Sequence, residues 1–332
     1  MRVLPTALGL ALAFAGSVRA AEPVTIRVGW AVVPANLAPL LAVTPGVARH
    51  LGQSYALELT HFTGTPQQMT GFAAGEIDLG SFSYSTFSIA IENAGLTDAR
   101  IVADILQDGA HGANSNEFMV LNDGPIRTIE DLSGKIFASI GGGGSSDIAM
   151  RVALRRHGLD DKTAVTFVEV GFPSMKSMLL SKKADIVTAV TPFSKDPELR
   201  QAAHTLFRQA DAIGPTELLM MVGHGAFIAK NRAAVVDFLE DDLRAVRWYT
   251  DPANHDEAVA IVARFTKQPP ERFQSWLFTK TGDQYRDPNG LPDIDGAEAS
   301  IAMQHEFGFL KAPLDLKPYV DLSLVKEAAS RL

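Results

Sequence analysis

Short apolar runs alternate with stretches of helical spacing along this chain. In the first third, the runs 24–30, 55–62 and 77–79 predict strands, while 37–51 and 66–74 have the spacing of helices. A strand, a helix and a further strand in succession are typical of a parallel sheet covered by helices. The first part of the chain therefore predicts an α/β unit.

The same rhythm returns after Glu117, with predicted strands at 118–121, 135–140, 164–170 and 185–190 and helices at 146–157 and 174–181. After a further apolar run at 218–228, only helices are predicted, at 231–250, 256–265, 271–277 and 297–310, and we expect them to pack on the first unit. Strand-like runs near Glu117 and Leu218 flank the second unit, and we expect the chain to cross between the two units there. The pattern predicts a two-lobed α/β clamshell, with lobe 1 over 22–117, lobe 2 over 118–220, and a mostly helical return to lobe 1 over 221–332.

The first twenty residues have the organisation of a secretory signal. Arg2 precedes an apolar run over 4–16, and Val18-Arg19-Ala20 places a small residue at the cleavage point. The alternative is a buried N-terminal segment of the mature domain. No later stretch is apolar for long enough to span a bilayer, so we expect export of a soluble periplasmic protein.

The chain contains no cysteine, which excludes disulfides, thiolate metal sites, a cysteine nucleophile and a lipid-anchored cysteine. Without Arg2 and Arg19, the formal net charge changes from −8 to −10. An acidic protein of this kind is a poor partner for nucleic acid or an anionic membrane.

A glycine-serine segment follows the predicted strand 135–140 and opens the next helix. Gly144, Ser145 and Ser146 lie where helix amides lack internal partners, so this segment predicts an anion site. The alternative is a flexible turn in which a serine only caps the helix.

Ligands of parallel α/β sheets bind beyond the carboxyl ends of the strands, so the six loops that leave the strands are the candidate site. These loops carry small hydroxyls, glycines and aromatics. For each aromatic alone hinge or core packing is the favoured interpretation, but four aromatics on six loops together favour a binding site. The candidate ligand-binding residues are Trp30, Pro34, Thr65, Ser81, Ser83, Tyr84, Gly144, Ser145, Ser146, Phe172, Thr191 and Phe193. Because the loops contain no Lys or Arg, we expect a ligand that carries a single negative charge. The aromatics in the loops favour a ligand with an apolar organic body over nitrate.

The sequence motifs do not support metal binding, nucleotide binding or nucleophilic catalysis. The eight histidines have no metal-binding spacing, and the glycine run lacks the Lys-Ser/Thr of a nucleotide loop. The serines at 80–84 lack a complete nucleophile motif, and Leu291 breaks the spacing of a calcium loop over 287–296. We therefore expect no metal, no cofactor and no catalytic residues.

Several segments together carry a family resemblance: Thr25-Ile-Arg-Val-Gly29, Gly64-Thr-Pro-Gln-Gln-Met69, Ala74-Gly-Glu-Ile-Asp-Leu-Gly80, the Asp-Leu-x-Gly-Lys core that ends at Lys135, Gly144-Ser-Ser146 and Ala184-Asp-Ile-Val187. With them the chain resembles the periplasmic solute-binding proteins of ABC importers, in the nitrate, sulfonate and taurine branch that also includes binders of thiamine-pyrimidine precursors.

The resemblance implies a type II binding-protein fold, a small organic anion as ligand, and an ABC permease with its ATPase as partners. It also implies that groups at Ser83, Ser145 and Ser146 hold the acid. One segment departs from the pattern, since Val190-Thr-Pro192 stands where many sulfonate-binding relatives have Trp-x-Pro.

Two other functions stay open at this point. One is an enzyme on the same fold, of the thiamine-pyrimidine synthase type, although those relatives are intracellular and carry a cysteine-rich motif. The other is a ligand sensor without transport. In each case we expect a monomer.

Overall fold

The structure is a computed structural model that describes residues 22–332, so the predicted signal segment lies outside the described residues. Its ten described strands form two five-stranded sheets. The strands are β1 (Val24–Trp30), β2 (Tyr55–His61), β3 (Leu79–Ser83), β4 (Ala99–Asp108), β5 (Glu117–Leu121), β6 (Lys135–Ser139), β7 (Val165–Glu169), β8 (Ile186–Ala189), β9 (Ala203–Arg208) and β10 (Thr216–His224).

Eleven described α-helices accompany these strands. They are α1 (Thr65–Ala73), α2 (Tyr84–Ala94), α3 (Ser145–Arg156), α4 (Phe172–Leu180), α5 (Pro197–Ala202), α6 (Gln209–Ile213), α7 (Gly225–Lys230), α8 (Arg232–Thr250), α9 (His255–Thr266), α10 (Ile294–Glu306) and α11 (Ser323–Ala329). No helix within 22–332 is long and apolar enough to cross a membrane.

The two sheets have matching organisation. The first has the order β2-β1-β3-β10-β4, with β1 parallel to β2 and β3, and β10 antiparallel to β3 and β4. The second has the order β7-β6-β8-β5-β9, with β6 parallel to β7 and β8, and β5 antiparallel to β8 and β9. The predicted two-lobed α/β architecture is confirmed.

The lobes are joined at two adjacent points. Asp108 pairs with Thr216 at the end of the first sheet, and Glu117 pairs with Arg208 in the second, so the connections 109–116 and 209–215 run side by side. The sequence placed crossing strands near Glu117 and Leu218, but β5 and β10 each lie within a single sheet. Residues 216–220 therefore belong to the first sheet, whereas the expected boundary assigned them to lobe 2.

The C-terminal helices pack on the first lobe, as predicted. Val235 and Leu239 of α8 share a buried cluster with Ile26 and Val28 of β1. On the other face of the sheet, Ile301 of α10 packs with apolar residues of β10.

Two predicted helices are shorter in the structure. Instead of a helix over 37–51 there is a 3-10 helix, Ala38–Val43, and Pro45 with Gly46 at φ +73° follows it directly. Instead of a helix over 271–277 there is one 3-10 turn, Pro270–Arg272. The indole Nε1 of Trp276 donates to the carbonyl of Arg272 at 2.6 Å and so occupies the acceptor that the helix would use.

Candidate ligand-binding cleft

A cavity lies between the lobes, where strands of both sheets end. It receives Ser81 and Ser83 from β3 on one side and Phe172 from the start of α4 on the other. The described lining is Ala31, Val32, Ala35, Asn36, Gly64, Thr65, Ser81, Ser83, Leu106, Asn116, Ile140, Ser145, Phe172, Val190, Thr191, Leu218, Leu219 and Gln284.

The lining is polar in part but carries no charge: among its described residues there is no Lys, Arg, His, Asp or Glu. Hydroxyls and carboxamides provide the polar groups, and aliphatic side chains with the Phe172 ring form the apolar wall. Such a cavity suits a small ligand with an apolar body and a few polar atoms.

Four helices begin at this cavity, because each follows a strand that ends there. Gly64 and Thr65 belong to the start of α1, Ser83 precedes α2, Ser145 opens α3 and Phe172 opens α4. Glycine is the N-cap residue of α1, α3 and α4, and none of the three has a side-chain cap. First-turn amides of α1 and α3 are therefore available to a ligand, whereas in α4 Pro173 has no N–H and the Ser174 amide already donates to the Gly171 carbonyl. The helix dipoles favour negative charge at all three starts.

The loop before α3 has a defined shape. Gly141 and Gly143 adopt φ of +120° and +82°, which other residues rarely adopt, and the Asp147 carboxylate accepts a hydrogen bond from the Gly143 amide at 2.9 Å. Burial raises the pKa of Asp147, while that hydrogen bond and the Arg151 charge oppose the shift. The glycines thus serve the backbone conformation that places Ser145 at the cavity.

A network of hydroxyls orders the side of the cleft formed by the first lobe. Thr86 Oγ1 lies 2.9 Å from Thr65 Oγ1 and 2.8 Å from Ser83 Oγ, and Ser83 Oγ accepts the Thr86 amide at 3.2 Å. Ser85 Oγ lies a further 3.0 Å from Ser83 Oγ. These contacts fix the orientation of Thr65 and Ser83, two of the hydroxyl residues that line the cavity.

Half of the candidate residues from the sequence line the cavity. The structure brings together Thr65, Ser81, Ser83, Ser145, Phe172 and Thr191. Their part in ligand binding stays a prediction.

The other six lie elsewhere. Tyr84 is buried in the core, because β3 extends to Ser83 and Tyr84 is the first residue of α2. Trp30 packs on His61, with the ring centroids 4.5 Å apart. Phe193 stacks on Phe172 at 6.2 Å, outside the cavity lining. The remaining three do not line the cavity either: Pro34, whose carbonyl accepts Arg286 Nη2 at 3.1 Å, Gly144, the N-cap of α3, and the buried Ser146.

Sequence reasoning missed three carboxamides of the lining, Asn36, Asn116 and Gln284. Asn36 lies two residues beyond the loop 30–34, and Asn116 lies at the end of a crossing connection, so wider windows at both places would have included them. Gln284 comes from an irregular part of the return segment, where no periodicity indicates its position.

The lobes also touch around the cleft. Gln67 Nε2 of the first lobe donates to the Ile140 carbonyl at 3.2 Å and to Glu169 Oε1 at 2.7 Å in the second. Arg272 of the return segment forms an ion pair with Asp196, which precedes α5. The structure therefore shows the lobes in contact across the cleft.

One group of potential metal ligands lies outside the cavity lining. Ligand atoms of His50, Asp237 and Glu240 lie within 4.8 Å of one another. Arg331 pairs with both carboxylates, at 2.8 and 3.5 Å, and Arg244 also pairs with Glu240. The acidic charge of this group is therefore already compensated by arginine.

Comparison with known proteins identifies the family. The family model of the NMT1-like family matches residues 19–263, which is most of the chain. The chain belongs to the NMT1-like family. A sequence search of curated proteins finds no match for this NMT1-like protein.

Solved structures share the fold of this NMT1-like protein at low identity. The alkanesulfonate-binding protein SsuA from Xanthomonas axonopodis pv. citri, bound to MOPS, has a TM-score of 0.72 and 18% identity over 91% of this chain and 99% of its own. The periplasmic nitrate-binding protein NrtA from Synechocystis PCC 6803 has a TM-score of 0.72 and 15% identity, over 94% and 89%. The predicted family resemblance and the type II binding-protein fold are confirmed.

An enzyme shares the fold as well. The desulfurization enzyme DszB has a TM-score of 0.62 and 12% identity, over 93% of this chain and 99% of its own. At these identities the likeness establishes the fold, and function has to be argued from the cleft.

Proposed function

We propose that this protein is the periplasmic substrate-binding component of an ABC importer. It captures a small organic anion between its lobes and delivers it to a membrane permease. The observation that carries the proposal is the uncharged cavity between the lobes, at which four helices begin.

The cavity favours one negative charge on an apolar body. Helix dipoles, open amides and hydroxyls stabilise a single acid group without a cation. Leu106, Ile140, Phe172 and Leu218 provide apolar surface that nitrate would leave uncovered, whereas an organic body would bury it. A sulfonate or carboxylate with an apolar body therefore suits the cavity better than an inorganic ion.

Binding without chemical conversion follows from the same residues. The described lining offers no carboxylate, imidazole or amine to transfer a proton, and the sequence has no cysteine nucleophile. We therefore propose capture and release of the ligand, in contrast to the enzyme DszB.

A ligand screen tests this function. Purified protein is heated with sulfonates, aliphatic and aromatic carboxylates, nitrate and pyrimidines, because a ligand that binds only the folded state raises the melting temperature. Calorimetry then measures the affinity of each hit, and mass spectrometry checks that the ligand is recovered unchanged. We expect organic monoanions to stabilise the protein more than nitrate. Tight nitrate binding would contradict the proposed organic ligand. Chemical conversion of the ligand would favour an enzyme instead of a binding protein.

A further inference from the structure

Two asparagines that line the cleft have one end of their carboxamide already occupied. Asn36 and Asn116 are each 5% exposed, and both line the cavity. Each offers an Nδ2 group that donates no hydrogen bond to any residue within 22–332. Neither Nδ2 atom is fully buried, so each keeps some surface that a ligand can reach.

The orientation of Asn36 is fixed by backbone amides. Asn36 Oδ1 accepts hydrogen bonds from the amides of Ala31 at 3.0 Å and Val32 at 3.2 Å. Because a backbone N–H can only donate, the oxygen has to face these amides and Nδ2 has to point away from them. Asn36 lines this cavity and also the adjoining one beneath β1, so the free group that it brings to the edge of the cleft is a donor and not an acceptor.

The orientation of Asn116 is fixed through a second carboxamide. Gln284 Nε2 donates to Asn116 Oδ1 at 2.9 Å and to Asp108 Oδ1 at 3.2 Å. An ionised carboxylate only accepts, so Gln284 has to turn its nitrogen towards Asp108, and Asn116 then has to turn its oxygen towards Gln284. The Nδ2 of Asn116 remains for the cavity.

Asp108 is well placed to hold this arrangement. It is fully buried and also accepts the Asn116 amide at 2.8 Å and the Ser115 hydroxyl at 2.5 Å. Burial raises the pKa of Asp108 to about 6, while these hydrogen bonds oppose the shift, so the group is ionised at neutral pH. On the other side, Gln284 Oε1 accepts the hydroxyl of Thr191 from the second lobe at 3.2 Å.

We propose that Asn36 and Asn116 bind the acid group of the ligand through their Nδ2 atoms, and that Gln284 is a positioning residue which fixes Asn116. The inference rests on the proposed function, since it assigns donors to the same cavity. It explains how a site without a cation selects an acid: two buried donors, held in one orientation, meet oxygens that accept hydrogen bonds.

The test compares matched acids and amides. Calorimetry measures binding of benzenesulfonate and benzoate, with benzenesulfonamide and benzamide as their neutral counterparts, to the wild type and to Asn36→Asp, Asn116→Asp and Gln284→Leu variants. Asn36→Asp keeps an oxygen that accepts hydrogen bonds from the Ala31 and Val32 amides. It replaces only the Nδ2 donor, with a second oxygen. Asn289→Asp, on the exposed loop before α10, is the control for an added negative charge.

We expect the two Asn→Asp variants to lose about 10- to 100-fold in affinity for the acids and much less for the amides, because each loses a donor and places a carboxylate against the charged group. Asn36→Ala and Asn116→Ala, which remove the donor without adding charge, should also favour the amides over the acids relative to the wild type. Gln284→Leu should lower the acid-to-amide affinity ratio, which a purely structural defect would leave unchanged. Asn289→Asp should bind like the wild type. If Asn116→Asp does not fold, Asn116→Ala gives the same comparison.

The outcomes separate the two proposals. If the wild type prefers the acids and the cleft variants keep both affinity and ratio, the asparagine assignment is overturned while the proposed function stands. If the wild type binds neither acid, both proposals fail.

Discussion

At the scale of single residues, the adjacent serines at the start of α3 occupy different environments. Ser145 is partly exposed and lines the cavity, whereas Ser146 is 3% exposed and does not line it. We therefore expect Ser145→Ala to weaken ligand binding by about 1 to 3 kcal/mol, the range for hydrogen bonds to a charged group. Ser146→Ala should bind like the wild type in calorimetry. Equal losses in the two variants, with unchanged circular dichroism, would contradict this difference.

Which side chains reach the cavity could be predicted only in part. Thr65, Ser83 and Ser145 were predictable because residues at strand ends and helix starts meet at one edge of a sheet. Tyr84 was not, because β3 ends four residues beyond the predicted strand end, at Ser83, which places Tyr84 in α2 and in the core. Gln284 reaches the cavity from 176 residues beyond Asp108 in the chain, and no local pattern records such a contact.

At the scale of elements, local apolar patterns predicted strands well where apolar residues recur without a break in their alternation. β1 has the bounds that its sequence predicted. β4 was not predicted, because the buried polar residues Asp104, Gln107 and Asp108 interrupt its apolar pattern. Partners distant in sequence help to hold two of these carboxyl groups in the sheet: Gln284 donates to Asp108, and the amide of Asp287 donates to Asp104. Propensity does not include such partners.

Two buried carboxyl groups, one on β4 and one on β10, should make the stability of the fold depend on pH. Asp104 of β4 and Glu217 of β10 are both buried, and burial followed by repulsion from Asp104 raises the pKa of Glu217 well above its usual range. Asp104 Oδ1 and Glu217 Oε1 have no donor as a partner among the described residues, which leaves both oxygens free to hold a proton. The remaining oxygens accept the amides of Asp287 and Asp293, and Arg286 lies nearby. The pair therefore holds one proton that the unfolded chain releases near pH 4.

Because the folded state binds more protons above that pH, the free energy of unfolding should fall as pH rises from 5 to 8. Urea unfolding at both pH values measures this change. Glu217→Gln keeps the shape and a donor towards Asp104 but removes the shared proton, so its stability should fall less over the same interval. An identical pH dependence in the variant would exclude a titrating pair.

At the scale of the whole molecule, the two connections 109–116 and 209–215 lie side by side and allow the lobes to move as units. Hinges commonly lie in such short segments between elements. Contacts across the cleft, those of Gln67 and the Arg272–Asp196 pair, can form only when the lobes approach. A ligand that touches both lobes therefore favours the closed arrangement through its contacts in that state alone.

The Arg272–Asp196 pair makes this equilibrium measurable. Small-angle scattering of the wild type should show a smaller radius of gyration with the best hit of the ligand screen. Arg272→Ala removes a partly exposed ion pair between the lobes, which is worth about 0.2 to 1 kcal/mol, so it should weaken binding by up to about fivefold through the smaller closed population. Arg232→Ala removes a comparable pair with Glu327 within the first lobe and should not change affinity. An unchanged scattering profile at saturating ligand, or equal effects of the two variants, would reject closure as the step that the ligand drives.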